Sequence, residues 1–386
     1  MNSSKAASLR IYFVIGEVSG DNLGDDLMRS FDALGIEAEP LGLGGPKMAA
    51  HGLESLFDIS EIAVMGVSGV LAKLPGLLAR VRRVADDILE KNPDVVMLID
   101  SPEFAKQVAK RVKKKRPQIR IVKYVCPTVW AWRQGRAKTM SGYLDHVIAI
   151  LPFEPDLLKE LGGPEATYVG HPLARLAGKT DLAAKRKPAA IPTILLMPGS
   201  RKSETARHMP VLAETARLLK ERGMEARFVL PAVPHLAEEL RSQARNWPVV
   251  PEVVEGDEAR EAEYRKADLA IAASGTAILE LAMYGIPTIS IYKLDPAMKS
   301  LRFLVKAWTA ALPNLIADRV IIPERINEFV IPGYLARMAE GLLVEGPARD
   351  AQIDGFEVVH QRMQQDESPG ILAARVILNL VNKSAA

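Results

Sequence analysis

Short apolar runs alternate with helical patterns along most of the 386 residues, and this alternation limits the possible folds more than any other feature. The runs are rich in Val, Ile and Leu without a polar face, as in strands covered by helices on both sides. Strands are predicted at Ile11–Ile15, Asp94–Ile99, Arg120–Val125, His146–Leu151, Thr167–Val169, Thr193–Met197, Ala226–Leu230, Leu269–Ala273 and Thr288–Tyr292. Helices such as Pro102–Arg116 and Lys202–Arg222 are predicted between them. The pattern predicts α/β architecture with parallel sheets and right-handed crossovers.

The alternation pauses between His171 and Pro192, and this pause divides the chain. Residues 174–192 are rich in Ala, Lys and Arg and contain no convincing strand, so we predict a linker there. We therefore predict Rossmann-like domains at 1–173 and 193–345, with C-terminal helices at 346–386 that pack across domains or subunits. Ligands bind parallel sheets at the carboxyl ends of their strands, so two such domains predict a ligand cleft.

Composition excludes several classes of protein. The hydrophobic fraction of 48% and the charged fraction of 25% are typical of a soluble globular protein. The longest apolar region, Ala267–Tyr292, is interrupted by charged residues, Gly285 and Pro287, so it predicts no membrane span. The single cysteine, Cys126, can form no disulfide framework, which favours a reducing compartment.

Positive charge is concentrated in one part of the chain, although the net charge is only +3. Residues 104–143 contain many Lys and Arg but no Asp or Glu. Such a run favours an anionic partner, which is a phosphate, a membrane surface or a nucleic acid. For its Lys113–Arg116 cluster, a solvated helix face is an equally good explanation.

Two strand-to-helix turns in the second half have the composition of phosphate sites. Their residues are Gly199, Ser200, Arg201, Ser274, Gly275 and Thr276. Small residues at a helix N-terminus expose backbone N–H groups to a diphosphate, and an arginine adds a complementary charge. Glu280 lies about one helical turn beyond Thr276, where a carboxylate can accept hydrogen bonds from ribose hydroxyls. These turns predict a nucleotide site.

Two carboxylates of the first half, Glu17 and Asp100, lie at the carboxyl ends of predicted strands. Catalytic groups of α/β folds collect at this edge of the sheet, so both are candidates for the catalytic base. The alternative is that Ser19 or Asp21 caps one following helix, and that Asp100 or Ser101 caps the next.

Two further segments have both a functional and a structural explanation. Trp132, beside Arg133 and Arg136, would suit the wall of an anionic-substrate site, or it could pack a core. Residues 62–84 carry an apolar stripe with basic residues opposite, and we expect a proline to split them into two helices. The stripe would contact a membrane or acyl chains, or it would pack a core. Its candidate contact residues are Val67, Leu71, Leu74 and Leu78.

Ten segments, in this order, resemble those of the lipid-A-disaccharide synthases. They are GEVSGD (16–21), GGPKM (44–48), MGVSGVL (65–71), DSPEF (100–104), VWAWRQGRAKTM (129–140), LPFEP (151–155), VGHPL (169–173), MPGSRKSE (197–204), SGTAILE (274–280) and LPNLIADR (312–319). Each segment alone is weak evidence, whereas the ordered set is specific and covers most of the chain.

The resemblance implies a GT-B fold, with an acceptor- and membrane-facing N-terminal domain and the nucleotide in the C-terminal domain. It implies transfer of 2,3-diacylglucosamine from UDP-2,3-diacylglucosamine to the 6-hydroxyl of 2,3-diacylglucosamine 1-phosphate. The product would be a β-1,6-linked disaccharide 1-phosphate, so the reaction would invert the anomeric centre and need a base, for which Asp100 matches the family position. Ser19 and Asn314 would contact substrate together with the Trp132 segment.

The resemblance also carries expectations about partners. We expect no metal and no cofactor, because helix N-termini and Arg201 can neutralise the diphosphate. We expect a cytoplasmic protein, peripheral on the inner face of the inner membrane, with no nucleic-acid partner and with a homodimer as a possibility. Two alternatives stay open: another GT-B transferase acting on a lipid-linked sugar, such as the peptidoglycan transferase, and a non-catalytic protein that binds membrane or nucleic acid.

Overall fold

Parallel sheets form the frame of the protein. The computed structural model describes residues 8–62, 67–295 and 305–385, without the side chains of 67–74 and 383–385. Within these residues the strands form two sheets of six strands each. The chain divides into two units, Met1–Pro172 with Gln365–Ala386, and Leu173–Gln364.

The first unit holds the first sheet. Its strands are β1 (Leu9–Ile15), β2 (Ala38–Leu43), β3 (Val95–Ile99), β4 (Arg120–Tyr124), β5 (His146–Ala149) and β6 (Ala166–Tyr168). Its helices are α1 (Val18–Ala33), α2 (Pro46–Ala49), α3 (Val67–Lys91), α4 (Pro102–Lys115), α5 (Arg136–Met140), α6 (Glu154–Glu160) and, from the end of the chain, α14 (Pro369–Ala385). The strand order is β2-β1-β3-β4-β5-β6, and the neighbouring strands pair in parallel.

The second unit repeats this plan. Its strands are β7 (Thr193–Met197), β8 (Arg227–Ala232), β9 (Glu252–Glu255), β10 (Leu269–Ala273), β11 (Thr288–Tyr292) and β12 (Glu324–Ile326). Its helices are α7 (Lys202–Glu221), α8 (Ala237–Ala244), α9 (Asp257–Lys266), α10 (Thr276–Met283), α11 (Leu312–Ala317), α12 (Pro332–Leu342) and α13 (Pro347–Met363). The strand order is β12-β11-β10-β7-β8-β9.

Helices cover both faces of the first sheet, which explains the unbroken apolar runs. All five residues of β3 are buried. Val96 and Leu98 belong to a core cluster that includes α3 and α4 residues, whereas Val95 and Met97 belong to a cluster on the opposite face. The final helix α14 packs against α1 and buries Ile377 in that second cluster.

The two C-terminal helices belong to different units, and the predicted linker belongs to the second unit. Helix α13 lies in the second unit and α14 in the first, so the segment predicted as 346–386 is divided between the two. Residues 174–192 lie in the second unit, where the buried guanidinium of Arg349 donates hydrogen bonds to the backbone carbonyls of Lys185 and Arg186.

The predicted break at Pro75 is wrong. One helix, α3, runs from Val67 to Lys91 with Pro75 inside it. A proline removes one N–H from the helical ladder. The long segment after it, which buries Val84 and Ile88 against the sheet, keeps its own hydrogen bonds and continues the helix.

Candidate active site

Each sheet has one place where the strand order reverses, and open α/β sheets bind ligands outside the strand ends at such a place. In the first sheet, β1 and β3 are neighbours although β2 follows β1 in the chain. In the second sheet, the corresponding neighbours are β7 and β10. Topology therefore indicates two sites, one at the turns after β1 and β3 and one at the turns after β7 and β10.

In the second unit, the turns after β7 and β10 line one cavity of about 320 Å³. The lining residues are Ser200, Arg201, Glu204, Ser274, Gly275, Thr276, Tyr292 and Ala310. The fold thus brings together most of the residues that the sequence assigned to nucleotide binding, although they lie far apart in the chain.

Gly199 shapes the first of these turns. Its φ of 111° lies in the left-handed region, and a Cβ there would lie 2.7 Å from Oε2 of Glu204. The Glu204 carboxylate accepts the backbone N–H of Ser200 at 3.2 Å, and Arg201 lies 3.5 Å from it. The Arg201 side chain is still 72% exposed, so it can reach an anion near the N-terminus of α7.

The second turn places Ser274 and Gly275 directly before α10. The Ser274 hydroxyl donates to the carbonyl of Ala310 at 3.4 Å, which joins this turn to another cavity-lining segment. Glu280 lies one turn further along α10, outside the cavity lining, with its carboxylate 3.8 Å from Arg260. Burial raises the pKa of Glu280 above its ordinary value, whereas the Arg260 charge acts to lower it.

Asn314 does not have the substrate-binding position that the resemblance implied. It is 1% exposed, and its side-chain amide donates to Thr309 Oγ1 and to the Ile322 carbonyl. Its carbonyl oxygen accepts the backbone N–H groups of Ile321 and Ile322. With these bonds made inside the fold, Asn314 holds the loop after α11 and has no free donor for a substrate.

In the first unit, Asp100 and Ser101 follow β3 in a strained conformation. Their φ values are 60° and 38°, both in the left-handed region. They lie against the turn after β1, because Gly16 and Gly20 have no side chains there. A Cβ on Gly16 would lie 1.8 Å from the Ser101 hydroxyl oxygen, and one on Gly20 would lie 2.1 Å from Asp100 Oδ2. The glycines of GEVSGD therefore make room for Asp100 and Ser101.

The surroundings of Asp100 adjust its basicity. Burial raises the pKa of its carboxyl, and the nearby charge of Glu17 raises it further. The Lys123 ammonium, the Ser19 hydroxyl at 3.4 Å and the Gly20 N–H act in the opposite direction. The resulting pKa lies above the usual value for aspartate, so this carboxylate is a stronger base than an exposed aspartate.

The helix-capping explanations of these residues are wrong. Ser101 is the N-cap of α4, but its side chain makes no capping hydrogen bond, and the N-cap of α1 is Glu17, also without one. The buried Asp21 carboxylate instead accepts the backbone N–H groups of Gly45 and Lys47. It therefore fixes the GGPKM segment beside the site, and Glu17 stays exposed at the end of β1.

The tryptophan segment combines both explanations given for it. Trp130 packs edge-on against Phe153, with ring centroids 5.8 Å apart. Trp132 is only half-buried, and the guanidinium carbons of Arg133 and Arg136 lie 5.4 and 5.7 Å from its ring centroid. An aromatic face beside two cations is a suitable surface for a phosphorylated sugar.

Much of the remaining basic run is engaged within the first unit. Lys113 pairs with Asp145 at 2.7 Å, and Lys115 pairs with Asp86 at 2.9 Å. Lys123 is buried in β4. These contacts leave the Arg133–Arg136 segment, which follows the strand, as the better candidate for an anionic ligand.

The apolar stripe of helix α3 is partly buried and partly exposed. Val81 and Val84, from the same apolar stripe, pack into the core, whereas Leu78 is 48% exposed. The side chains of Val67, Leu71 and Leu74 lie outside the described residues. Only Leu78 of the predicted membrane patch is therefore placed, and it faces solvent.

The sequence analysis did not predict that three buried residues lie beside these sites. They are Lys123, Glu204 and His208. His208 donates from Nδ1 to the Pro198 carbonyl at 2.8 Å and accepts the Lys293 N–H at Nε2 at 2.9 Å, so its ring is neutral. Burial lowers its pKa accordingly. A lysine inside the apolar strand Arg120–Val125 was a visible signal for Lys123, whereas nothing local revealed the partners of His208.

Two features of the described residues bear on membrane and metal binding. In the part of the chain that the structure describes, no helix has the length and apolar composition needed to cross a bilayer. In those same residues, no group of three or more His, Cys, Asp or Glu side chains is arranged to hold a metal ion.

Sequence comparison gives the chain relatives over its full length. The family model described as lipid-A-disaccharide synthetase matches residues 11–373. The lipid-A-disaccharide synthase of Nitrobacter winogradskyi is 40% identical, covering 100% of this chain and 98% of that protein. One from Rhodopseudomonas palustris is 41% identical, covering 96% of each chain.

Comparison with solved structures supports the fold. MurG of Acinetobacter baumannii is similar with a TM-score of 0.57 at 14% identity, covering 97% of this chain and 99% of MurG. A UDP-GlcNAc 2-epimerase of Neisseria meningitidis is similar with a TM-score of 0.56 at 11% identity, covering 97% and 99%. With the two parallel sheets, these similarities confirm the predicted two-domain α/β fold of the GT-B class.

Proposed function

The chain belongs to the lipid-A-disaccharide synthetase family and is a glycosyltransferase of lipid A biosynthesis, and from this premise we propose how its residues divide the reaction. The donor is UDP-2,3-diacylglucosamine and the acceptor is 2,3-diacylglucosamine 1-phosphate. One displacement at the anomeric carbon forms the β-1,6 bond and releases UDP. The acceptor 6-hydroxyl loses a proton, and the leaving diphosphate gains charge that must be stabilised.

We propose that the second unit binds the donor nucleotide. The observation that carries this proposal is that the turns after β7 and β10 line the same cavity. Backbone N–H groups at the starts of α7 and α10 and the exposed Arg201 guanidinium provide positive potential for the diphosphate. Glu280, one turn further along α10 and outside the cavity lining, is proposed to bind the ribose.

Replacing Arg201 tests this placement. Arg201→Ala is expected to weaken UDP binding by about 1.5–3 kcal/mol, the usual contribution of a hydrogen bond to a charged group. The measurement is isothermal titration calorimetry with UDP. Lys202→Ala is the matched control, because Lys202 carries the same charge, is 75% exposed, pairs with Glu239 and does not line the cavity. Equal UDP affinity in wild type and Arg201→Ala would contradict the placement.

We propose that the first unit supplies the base and binds the acceptor. Asp100 takes the proton of the 6-hydroxyl, with Ser19 hydrogen-bonded to its carboxylate. The Trp132 ring with Arg133 and Arg136 is proposed to bind the sugar and its 1-phosphate. The guanidinium group of arginine suits a phosphate because it can donate two parallel hydrogen bonds, whereas lysine acts as a point charge.

We also propose that the protein binds the inner face of the inner membrane, because both substrates carry acyl chains. Val67, Leu71, Leu74 and the exposed Leu78 would make the contact. Replacing these four residues with serine is expected to reduce sedimentation with anionic vesicles while the melting temperature stays nearly unchanged.

The control for the membrane prediction is Leu77→Ser, since Leu77 packs against the core of the first unit. That variant should lower the melting temperature and leave vesicle binding intact. If the fourfold variant unfolds instead, the stripe is core and the membrane proposal fails. A homodimer stays a separate prediction, which sedimentation velocity would test.

A further inference from the structure

Beneath the proposed base lies a buried lysine with no obvious role in the core. We propose that Lys123 is a positioning residue for the reaction, which fixes the main chain of Asp100 and supplies the positive charge beside its carboxylate. This inference rests on the proposed function of Asp100 as the base, and it adds a second group to that site.

The first argument is the end of the β3–β4 ladder. The two strands pair in register from Val95 with Arg120 to Ile99 with Tyr124. Asp100 lies directly beyond this last pair, where its φ of 60° takes the chain out of the strand. A backbone carbonyl that has no hydrogen-bond donor is costly where water is excluded.

The side chain of Lys123 supplies a hydrogen-bond donor to the Asp100 carbonyl. Its Nζ donates to the Asp100 carbonyl at 3.0 Å and to the Leu98 carbonyl at 3.2 Å. The residue is 4% exposed, so these bonds form away from solvent. One ammonium group thus joins β4 to the end of β3 and to the main chain of Asp100, the proposed base.

The second argument is strain. Asp100, Ser101 and Val125 have φ values of 60°, 38° and 69°, and a β-branched residue such as Val125 rarely adopts this region. Each such residue costs on the order of 1–3 kcal/mol and persists only where its surroundings enforce it. Lys123 contacts the carbonyl of one strained residue and lies two positions before another, so it is well placed to enforce both.

The third argument is electrostatic. The titratable groups that face Lys123 are Asp100 after β3, Glu17 before α1 and the Cys126 thiol after β4. Burial lowers the pKa of Lys123 to about 8, whereas the nearby carboxylates of Asp100 and Glu17 favour its charged form. That charge acts to lower the pKa of Asp100. Without it, the pKa of Asp100 rises, and the base becomes protonated at higher pH.

The test is the pH profile of turnover in Lys123→Met and Lys123→Gln, of which the second keeps a hydrogen-bond donor without the charge. In both variants the acidic limb of kcat is expected to move up by about one pH unit or more, the usual size of such a charge effect. UDP affinity should stay unchanged. The matched control is Lys113→Met, which removes a largely buried lysine paired with Asp145 and should leave the limb in place.

The Asp100→Asn background separates this inference from the assignment of the base. If Lys123 acts through Asp100, adding Lys123→Met to Asp100→Asn should cause no further loss of turnover. An unshifted acidic limb in folded Lys123→Gln, or an additive loss in the double variant, would overturn the inference. Near-normal turnover of Asp100→Asn alone would instead refute the proposed base.

Discussion

Asp100→Asn is expected to lower turnover by about 10²–10⁴-fold, the usual contribution of a general base. Asparagine has nearly the same shape but cannot accept the proton of the acceptor hydroxyl. The pH profile of wild-type turnover should also reflect the environment of the base. Because the pKa of Asp100 is raised, the acidic limb of this profile should lie at a higher pH than an ordinary aspartate would give. Steady-state kinetics from pH 4 to pH 9 would measure both effects.

The control for this prediction is Glu103→Gln, which neutralises an exposed carboxylate three residues away that pairs with Lys106. Its turnover should stay within about twofold of wild type, since single surface changes have small effects. UDP affinity and melting temperature should be unchanged in Asp100→Asn. If a folded Asp100→Asn protein turns over normally, the role moves to Glu17, and Glu17→Gln would then be the inactive variant.

Arg349→Met is expected to destabilise the second unit by roughly 3–5 kcal/mol, because it breaks a buried hydrogen-bond network. Arg349 is 1% exposed, and its guanidinium donates to the carbonyls of Lys185, Arg186, Asp268 and Leu342. Methionine fills a similar length but leaves these carbonyls without their donor. Scanning calorimetry should show a lower melting temperature, by about 2–4 °C per kcal/mol for a unit of this size.

Arg186→Met provides the comparison for Arg349→Met. Arg186 pairs with Asp350, Asp354 and Glu357 on α13, but it lies at the surface, where ion pairs contribute roughly 0–1 kcal/mol. Its removal should therefore change the melting temperature little. Equal melting temperatures for Arg349→Met and Arg186→Met would show that the buried hydrogen bonds do not hold residues 174–192 in place.

The central strands could be predicted from the sequence, whereas three edge strands could not. The strands β2, β9 and β12 lie at sheet edges and were not predicted. A strand at the edge is covered less, so it needs no continuous apolar run; β9, for example, has no buried residue. Strand β2 also contains Pro40 and Gly42, which conceal its extended conformation.

Some features of the candidate sites could likewise be predicted from the sequence, and others could not. Turn composition predicted that Ser200, Arg201 and Gly275 belong to one site, and the fold brings them to one cavity, because turns after parallel strands meet at the same edge of a sheet. The role of Asp100 stays a prediction. Partners that depend on tertiary contact were not visible. Lys123 bonds to residues 23 and 25 positions earlier in the chain, where spacing along the sequence carries no information. The partners of Asn314 lie within eight residues, but its bonds depend on how the loop after α11 folds back on it.

Product analysis tests the central claim most directly. The protein is incubated with UDP-2,3-diacylglucosamine and 2,3-diacylglucosamine 1-phosphate, the lipid product is examined by mass spectrometry, and the configuration at the new linkage is determined by NMR. We expect a tetra-acylated disaccharide 1-phosphate with a β-1,6 linkage, formed together with an equal amount of UDP. Asp100→Asn should form it about 10²–10⁴-fold more slowly. No disaccharide, or an α-linked one formed with retention, would contradict the account.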